Sequence, residues 1–577
     1  AQETSGYDEA VVTGTCSLDG LPTALGVMAL FGWSYAQGWL AHLVMTLIEL
    51  SLPQIRPLLR GVPFYWGVVV ILFMVVLAVV AVFISLAPLS YLFIRLSDFG
   101  FDKFLANVLR PRSFELLGNS ILLAVCVSAS AVIIGSLQAW LSVRTTIKGR
   151  GIFAILAALP LAMPSYVTAY TFTALFPGFK GFAASWLVLT IGTAPYVYLA
   201  VSATLVRTDA ATEEVARSLG AGKWNVFRRV TWPAVRPAAV SGAMLSALYA
   251  LSDFGAVSIL SFDTFTRAIY SAYRSSFDRS GAASLAVILV VITIALLILE
   301  PTLRGKNLQT DGRTRRSSLI QLGKLQPVAF IFLACWITVS LLLPAFSLFR
   351  ATQLGLSEVD FGEISRALIN SLSYAFAGGL IAVVFGVAIS LLTVRFRSRL
   401  SIALDRTIWI THAVPGIVVA LSLVFLSNRL LPQIYQTSTL VLIAYLILFL
   451  PNAIAAMQTP ISQVPRSLDE IAASLGASRI ATIKRVLIPI AGPGILAGAA
   501  LVSLSVLKEL PATLLLRETG VETLATRLWN ETSVSAYAAA APYALLLVVV
   551  AGIPAWLLNR QVRQSVRIEI NQRMERE

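Results

Sequence analysis

The sequence contains few charged residues and very little histidine or cysteine. Asp, Glu, Lys and Arg make up 13% of its 577 residues, and there are two His and three Cys. Three cysteines far apart in the chain give neither a disulfide framework nor a metal knuckle. With two isolated histidines and no cluster of acidic or sulfur ligands in a polar loop, we predict no catalytic residues, no bound metal and no enzyme activity.

A phosphate-binding loop is also missing, because the pattern GxxxxGK[ST] occurs nowhere in the chain. We therefore expect no ATP site and no bound cofactor. The 44 Lys and Arg exceed the 29 Asp and Glu, but they form short clusters between apolar runs and no basic domain. Such a distribution orients a membrane protein, and it predicts a lipid membrane and no nucleic acid as the partner.

Long apolar segments are what the sequence has instead. Hydrophobic residues make up 57% of it, and the mean hydropathy is +0.81, outside the usage of soluble globular proteins. A membrane core about 30 Å thick needs about 20 apolar residues per helix. Twelve windows satisfy this: 66–94, 117–142, 151–176, 184–206, 237–260, 284–300, 327–349, 370–394, 404–427, 438–457, 490–516 and 541–558. We predict an all-α polytopic membrane protein.

Basic residues are concentrated in alternate loops, which predicts that both ends of the twelve-helix unit face the cytoplasm. The basic residues predicted to lie on the cytoplasmic side include Arg56, Arg60, Arg144, Lys148, Arg150, Arg304, Lys306, Arg313, Arg315, Arg316, Lys324, Arg395, Arg397, Arg399, Arg406, Arg466 and the tail from Arg560. The loop at 95–116 fits this topology least, because the topology places its four basic residues on the side of the membrane away from the cytoplasm.

An internal repeat divides the chain. The segment EEVARSLGAGKWNVFRRVTWP (213–233) recurs as DEIAASLGASRIATIKRVLIP (469–489), 256 positions later, whereas Asn119-Ser120 and Asn370-Ser371, Arg144 and Arg395, and Pro164 and Pro415 are 251 positions apart. These offsets predict two tandem six-helix halves of the same orientation, related by a pseudo-twofold axis along the membrane normal. We place the first half at 56–300, a cytoplasmic linker at 301–326, and the second half with a basic C-terminal tail at 327–577.

Each copy of the repeated segment predicts two short surface helices. In the first copy Val215 and Leu219 share a helical face, and Gly220 suits the left-handed turn that ends a helix. The second copy repeats these features at Ile471, Leu475 and Gly476.

The ends of these surface helices carry their own signals. Ser467 and Glu470 predict a capping box that starts the first helix of the second copy. Pro233 and Pro489 are expected to break the second surface helix just before the next membrane span.

At this point the sequence resembles the permeases of ATP-binding-cassette importers, whose cytoplasmic signature is Glu-Ala-Ala, a Gly at the seventh place, then a hydrophobic residue and a Pro at the twentieth. Both copies match in spacing, although Val215 and Ile471 replace the first alanine. The resemblance implies that two ATPase subunits dock at these segments. The residues it carries over are Glu214, Ala216, Gly220, Val230, Pro233, Glu470, Ala472, Gly476, Val486 and Pro489.

Two further segments, LSDFGAVSILSFDTFTRAIY (251–270) and LKELPATLLLRETGVETLATRLW (507–529), look like the fused two-half permeases for ferric iron. This resemblance implies a bacterial inner-membrane protein, Fe(III) as the transported ion, a periplasmic iron-binding protein that delivers it, and ATP with Mg used by the partner ATPase. Similar fused permeases carry thiamine or aminoethylphosphonate, so both stay open as substrates. A secondary transporter, the alternative from another class, would not need paired ATPase-docking segments.

Asp253 and Glu509 are predicted to lie in the fifth helix of each half, 256 positions apart. Carboxylates inside a membrane are costly and usually face a path or a partner, and hard oxygen ligands suit a highly charged cation. We expect both to line the cation pathway. The alternative is that Glu509 pairs with Lys508 or a neighbouring helix, and that Asp253 caps a helix end.

Residues 1–55 differ from the rest, because they contain no Lys or Arg, five acidic residues and a mildly apolar run near 24–48. A thirteenth spanning helix with its N-terminus outside would satisfy the charge bias. Alternatively, the functional protein begins near Met45 and the residues before it form an atypical extension that does not pack on the core. We favour the extension.

Overall fold

A computed structural model describes residues 64–207, 210–276, 278–304, 319–355 and 360–552. The N-terminal segment 1–55 and the basic tail from Arg560 lie outside the described residues, so the predictions made for them stay predictions. All contacts given below are within the compact unit that begins at Val68. In the described ranges the chain is helical and has no strand; one isolated bridge pairs Thr145 with Ile320.

In its described residues, the first half contains twelve α-helices. They are α1 (Phe64–Phe99), α2 (Phe101–Val108), α3 (Pro111–Arg144), α4 (Arg150–Ala158), α5 (Ser165–Leu175), α6 (Phe182–Arg207), α7 (Ala210–Ser218), α8 (Lys223–Val226), α9 (Trp232–Ser252), α10 (Gly255–Ile259), α11 (Phe265–Arg274) and α12 (Arg279–Arg304). A π-helical turn, Phe227–Thr231, joins α8 to α9.

The second half begins with two helices joined by a π turn where the first half has the continuous α1, and it then repeats the order of the first half from α3 onward. Its helices are α13 (Gln326–Ile337), α14 (Leu343–Gly355), α15 (Phe361–Val394), α16 (Arg399–Thr411), α17 (Gly416–Leu430), α18 (Ser438–Gln463), α19 (Arg466–Ser474), α20 (Arg479–Thr482), α21 (Ile488–Leu507), α22 (Pro511–Leu516), α23 (Leu524–Ser533) and α24 (Tyr537–Gly552). π-helical turns join α13 to α14 and α20 to α21.

Each of the twelve predicted windows overlaps a helix or a bent helix pair in the described part of the chain. In the described part of the chain, nine helices are long and apolar enough to cross a membrane, and two further windows are bent helix pairs. The last window is described only to Gly552, as the shorter apolar helix α24. α12 continues through Pro301 to Arg304, so the linker predicted at 301–326 begins as a helix; its residues 305–318 lie outside the described residues.

The third span of each half is broken, which corrects the prediction of a single helix. α4 and α5 meet at 96°, and α16 and α17 meet at 103°. The breaks fall at Pro164 and Pro415, which have extended backbone angles at the start of α5 and α17. Proline lacks the backbone N–H that would continue the helix and disfavours helical angles in the residue before it.

The fifth span also ends earlier than its window. α9 ends at Ser252 and α21 at Leu507, and each is followed by the separate short helix α10 or α22. Asp253 and Glu509 therefore lie at the breaks after the fifth helices and not inside them, which corrects their predicted placement.

Pro233 and Pro489 do not break the surface helices, contrary to the prediction. Pro233 is the second residue of α9, and helical backbone angles continue from α8 through the π turn into α9. The same continuity joins α20 to α21 through Ile483–Leu487. A π turn adjusts the backbone hydrogen-bond ladder locally, so a proline can follow it without ending the helix. Each surface helix is thus one piece with the fifth span.

Close helix packing holds each half together, and glycine makes it possible. A Cβ added at Gly135 of α3 would lie 2.7 Å from the Ala194 carbonyl of α6, and one at Gly242 of α9 would lie 2.7 Å from the Val197 Cα atom. Gly386 and Gly498 in the second half are similarly close to α18. Small residues let membrane helices approach this closely, so α3, α6 and α9 form one bundle and α15, α18 and α21 another.

The first helix of each half packs on the opposite half. Ala78 and Ala81 of α1 share a core with Ile389 of α15. In the other direction, the Ser347 hydroxyl of α14 donates to the Thr171 carbonyl of α5 at 2.8 Å. The two halves therefore exchange their first helices, and the largest core contains residues of both.

Candidate coupling elements and substrate path

Residues 213–233 and 469–489 are here named the first and second coupling elements. In the first, α7 ends at Ser218, and Gly220, two residues later, has the left-handed φ of 83° that was predicted. The Gly220 N–H bonds the Arg217 carbonyl and the Ala221 N–H bonds the Ala216 carbonyl, both at 3.0 Å. This is a Schellman motif, in which the left-handed residue is usually glycine. It turns the chain from α7 into α8.

The second coupling element ends α19 in the same way. Gly476 has a φ of 78°, and the Ala477 N–H bonds the carbonyl of Ala472 at 2.9 Å. The predicted capping box is absent, however, because Pro465 is the N-cap residue of α19 and no side chain caps the helix. A proline before the first turn presets an extended backbone, so the helix starts without the Ser467–Glu470 exchange.

Apolar side chains of the first coupling element are unusually exposed. Leu219 is 81% exposed and Trp224 70%, and the Trp224 ring stacks on Phe227 with 5.5 Å between centroids. In the second element, Leu475 is also 81% exposed. Exposed apolar clusters on a water-facing segment mark contact surfaces for partners.

The remaining residues carried over from the signature lie around these surfaces. Glu214 and Glu470 are exposed, Ala216 is half-buried and Ala472 buried. Val230 and Val486 lie half-buried in the π turns. Pro233 is the second residue of α9, and Pro489 is the second residue of α21. The structure therefore gathers every signature residue of a copy within one surface element.

Sequence reasoning missed the acidic residue before each signature glutamate. Glu213 forms an ion pair with Arg144 at 3.2 Å, and Asp469 forms one with Arg395 at 2.8 Å. A signal was present in the sequence, because all four residues recur at the offsets of the repeat. The arginines had been interpreted only as cytoplasmic charges.

Asp253 is held by hydrogen bonds at the break between α9 and α10. Its Oδ1 atom accepts the Ala256 N–H at 2.9 Å, and the Ser165 hydroxyl donates to its Oδ2 atom. Ser165 begins α5, directly after the break at Pro164. Asp253 therefore connects the breaks in the third and fifth spans of the first half.

Glu509 occupies the equivalent break. Its Oε1 atom accepts the Ala512 N–H at 2.9 Å, and a Cβ added at Gly416, directly after Pro415, would lie 3.1 Å from the same oxygen. The neighbouring Lys508 donates from Nζ to the Leu161 carbonyl of the first half at 3.1 Å. Of the described acidic residues, none lies within ion-pair distance of Lys508. Lys508 thus links the two halves beside the breaks.

Residues near the breaks of the first half also contact residues of the second half. The Phe254 ring, next to Asp253, lies 4.9 Å from the Trp529 ring of α23 between centroids. The Tyr170 hydroxyl donates to the Tyr537 carbonyl at 2.6 Å. The described residues contain no cluster of three or more His, Cys, Asp or Glu that could hold a metal ion.

The predicted Asn-Ser repeat has the same function in both halves, at the end of the molecule opposite the coupling elements. Asn119 donates to the Asp263 carbonyl, and the Ser120 hydroxyl oxygen accepts the Phe265 N–H at 3.2 Å. In the second half Asn370 and Ser371 make the corresponding bonds to Glu522 and to the Leu524 N–H. These pairs fix the starts of α11 and α23.

Asp263 lies in an ion-pair cluster beside this point. Arg112 and Arg267 both donate to its carboxylate. Burial opposes ionisation of Asp263, but the hydrogen bond from Arg112 and the charge of Arg267 outweigh it, so the pKa of the carboxyl is below its ordinary value.

Comparison with known proteins accounts for the duplicated coupling elements. Residues 131–303 and 378–564 each match the family model of the binding-protein-dependent transport system inner membrane component. The chain belongs to this family. It is a permease of the ATP-binding-cassette importers with two fused halves, and it is a multi-pass inner-membrane protein, as the resemblance implied.

Relatives of this permease align either with most of the chain or with about one third to two fifths of it. The Fe(3+)-transport system permease protein FbpB 2 of Haemophilus influenzae is 36% identical over 82% of this chain and 95% of its own length. The ferric transport system permease protein FbpB of Actinobacillus pleuropneumoniae is 22% identical over 84% of this chain and 75% of its own length. The molybdenum transport system permease protein ModB of Escherichia coli is 30% identical over 34% of this chain and 96% of its own length, so it corresponds to about one half.

Proposed function

We propose that the permease imports ferric iron, which a periplasmic iron-binding protein delivers, and that two ATPase subunits drive it from the cytoplasm with ATP and Mg. The iron assignment rests on the 36% identity to a permease named for Fe(3+) transport. The observation that carries the ATPase partnership is the second coupling element, which repeats the first in register and in its left-handed glycine.

The exposed apolar faces of the coupling elements are the docking surfaces in this proposal. Val215 and Leu219 in the first element, and Ile471 and Leu475 in the second, lie on the α-helices before the glycine turns and are more than half exposed. Leaving such side chains in water is unfavourable, and an ATPase groove would bury them. Glu214 and Glu470 lie beside these faces as exposed charges.

Asp253 and Glu509 are proposed to face the substrate path between the halves. Their carboxylates supply hard oxygen atoms, which suit a highly charged cation. Hydrogen bonds from neighbouring backbone N–H groups hold each carboxylate in place. The contacts of Lys508 and Phe254 with the opposite half support a location near the boundary of the halves.

Lys508 favours aminoethylphosphonate as a second candidate substrate. That molecule carries a phosphonate, which an ammonium group could bind, and an amine, which Asp253 or Glu509 could bind. Lys508 has a single backbone carbonyl as its hydrogen-bond partner, so part of its bonding capacity is open to a substrate.

The test is uptake by proteoliposomes that contain the chain, its ATPase subunits and its binding protein. Imported radioactive iron that depends on ATP, and that excess thiamine or aminoethylphosphonate does not suppress, is the expected result. Suppression by aminoethylphosphonate would support the second candidate, and suppression by thiamine would overturn both. A wild-type chain that does not copurify with an ATPase and takes up substrate without ATP would point to a secondary transporter.

A further inference from the structure

The carboxylate of Glu213 joins three elements at the first coupling element. Its Oε1 atom accepts hydrogen bonds from Arg144 Nη2 at 3.2 Å and from Thr231 Oγ1 at 2.9 Å. Arg144 ends α3, Glu213 lies in α7, and Thr231 lies in the π turn before α9. The ion pair is shielded from water, since 3% of the Arg144 side chain and 9% of the Glu213 side chain are exposed. Glu213 therefore fixes the coupling element to both the second and the fifth span.

The second coupling element has a matching joint. Arg395 Nη1 donates to Asp469 Oδ2 at 2.8 Å, and Arg395 Nη2 donates to the carbonyls of Ile461 and Val464. Arg395 directly follows α15, and Asp469 lies in α19. The same two elements are therefore joined in both halves, at the offsets of the repeat.

The two joints differ in their dependence on the ion pair. The Arg395 side chain is 8% exposed and the Asp469 side chain 37%, and Leu487, the counterpart of Thr231, offers no hydroxyl. Without Asp469, Arg395 would keep its hydrogen bonds to the carbonyls of Ile461 and Val464, whereas loss of Glu213 removes the hydrogen bond that the buried Arg144 side chain donates to it and leaves a desolvated charge. The first coupling element therefore depends more strongly on its joint.

The first joint is also connected to the segment that leads into the second half. The Ile320 N–H donates to the Arg144 carbonyl at 2.8 Å, and the Thr146 N–H donates to the Ile320 carbonyl at 3.2 Å. Leu333 of α13 packs with Leu141 of α3 in the same region. Arg144 is therefore also joined to the segment that leads into the first helix of the second half.

We propose that the Arg144–Glu213 and Arg395–Asp469 pairs are positioning joints that transmit ATPase movement from each coupling element to the second span, and that the first joint carries most of this coupling. The proposal rests on the proposed function, because it requires ATPase subunits docked at the coupling elements. The fifth span needs no such joint, since it continues from the coupling element as one helix. Without the ion pair, the fifth span would move and the second would not follow.

The test uses the complete complex in liposomes and measures the ATP hydrolysed per substrate imported. Glu213→Gln keeps the shape of the side chain and removes its charge, and we expect it to raise this ratio roughly tenfold, within the range of coupling free energies in proteins. Asp469→Asn should raise it only about twofold, because Arg395 keeps its hydrogen bonds to two backbone carbonyls. The double variant Arg144→Gln/Glu213→Gln should raise the ratio no further than the more strongly affected of the two single variants does. The effects of substitutions at two residues in contact are not additive.

A matched control comes from the repeat itself. Thr231→Leu gives the first joint the side chain found at the second, so its ratio should lie between those of wild type and Glu213→Gln. If Glu213→Gln does not assemble with the ATPase, Glu213→Asp is used instead, because it introduces the shorter carboxylate present at the second joint. We expect it to raise the ratio of ATP hydrolysed to substrate imported by a smaller factor.

Three outcomes separate the possibilities. If a Glu213 variant assembles and hydrolyses the same amount of ATP per substrate imported as the wild type, the proposed role of the first joint is wrong. An equal rise from Asp469→Asn overturns the inequality of the two joints. Failure of the wild-type chain to bind an ATPase would refute the proposed function, whereas a coupled wild type with normal Glu213 variants would refute the joint alone.

Discussion

Asp253 and Glu509 each accept the backbone N–H of the residue three positions further along the chain, at 2.9 Å in both cases. The two residues are 256 positions apart, so the repeat preserves the hydrogen bond as well as the charge. In both halves the carboxylate spans the break between the fifth helix and the short helix after it. This bond holds each carboxylate in a fixed position at its break.

Asp253→Asn and Glu509→Gln should reduce iron uptake. Each amide oxygen can still accept the same backbone N–H, so the break keeps its hydrogen bond while the negative charge is lost. We expect uptake to fall roughly tenfold in each variant, which corresponds to about 1.4 kcal/mol at the transport barrier. Radioactive iron uptake measures this, with membrane-inserted protein as the control. Wild-type uptake by both variants would contradict a role in the path.

Lys508→Ser should loosen the contact between the halves. Serine stands at the equivalent position 252 of the first half, so the substitution makes the two halves alike there. It removes the hydrogen bond from Nζ to the Leu161 carbonyl. We expect a higher rate of ATP hydrolysis without substrate, by roughly threefold, which is about the value of one hydrogen bond. Lys508→Arg, which keeps a charged donor, is the matched control, and equal basal rates in all three proteins would disprove the link.

Gly220→Glu and Gly476→Glu should uncouple ATP hydrolysis from uptake while the twelve spans stay inserted. Both glycines have left-handed backbone angles and open space around them, so a side chain is strained by its backbone and not by a clash. The expected cost is about 1–2 kcal/mol in the turn.

Asparagine tolerates the left-handed region better than other residues do, so Gly220→Asn and Gly476→Asn are the controls for that turn. They should keep most of the coupling, measured as ATP hydrolysed per substrate. Normal coupling in both glutamate variants would show that the turn geometry is not needed.

Asp263 makes stability depend on pH at the outer end. Because its pKa is lowered in the folded state, the ionised carboxylate contributes stability above its unfolded pKa, and this is lost as pH falls through the folded pKa. Acidification below about pH 4 should therefore lower the unfolding temperature of the wild type more steeply than that of Asp263→Asn. Thermal unfolding of the detergent-solubilised protein over a pH series tests this, and parallel curves would contradict it.

Predictions from a local pattern were confirmed only where no other local arrangement competed with that pattern. Gly220 and Gly476 end their helices as expected, because the left-handed turn is a property of a few adjacent residues. The Ser467–Glu470 capping box failed where another local arrangement, the proline before it, was sufficient. Pro233 failed as a helix break because a π turn upstream accommodates it, and the hydrophobic pattern contains no sign of that turn.

The sequence by itself determined the apolar windows, the two halves and the positions of the coupling elements, because apolar length and repeat spacing can be read along the chain. Only the tertiary structure decided which side chains meet: Arg144 with Glu213, and Lys508 with the Leu161 carbonyl of the other half. Such contacts join residues that are far apart in sequence, and each depends on helix breaks and crossings. Packing fixes those, since the membrane makes every apolar stretch helical and does not select its neighbour.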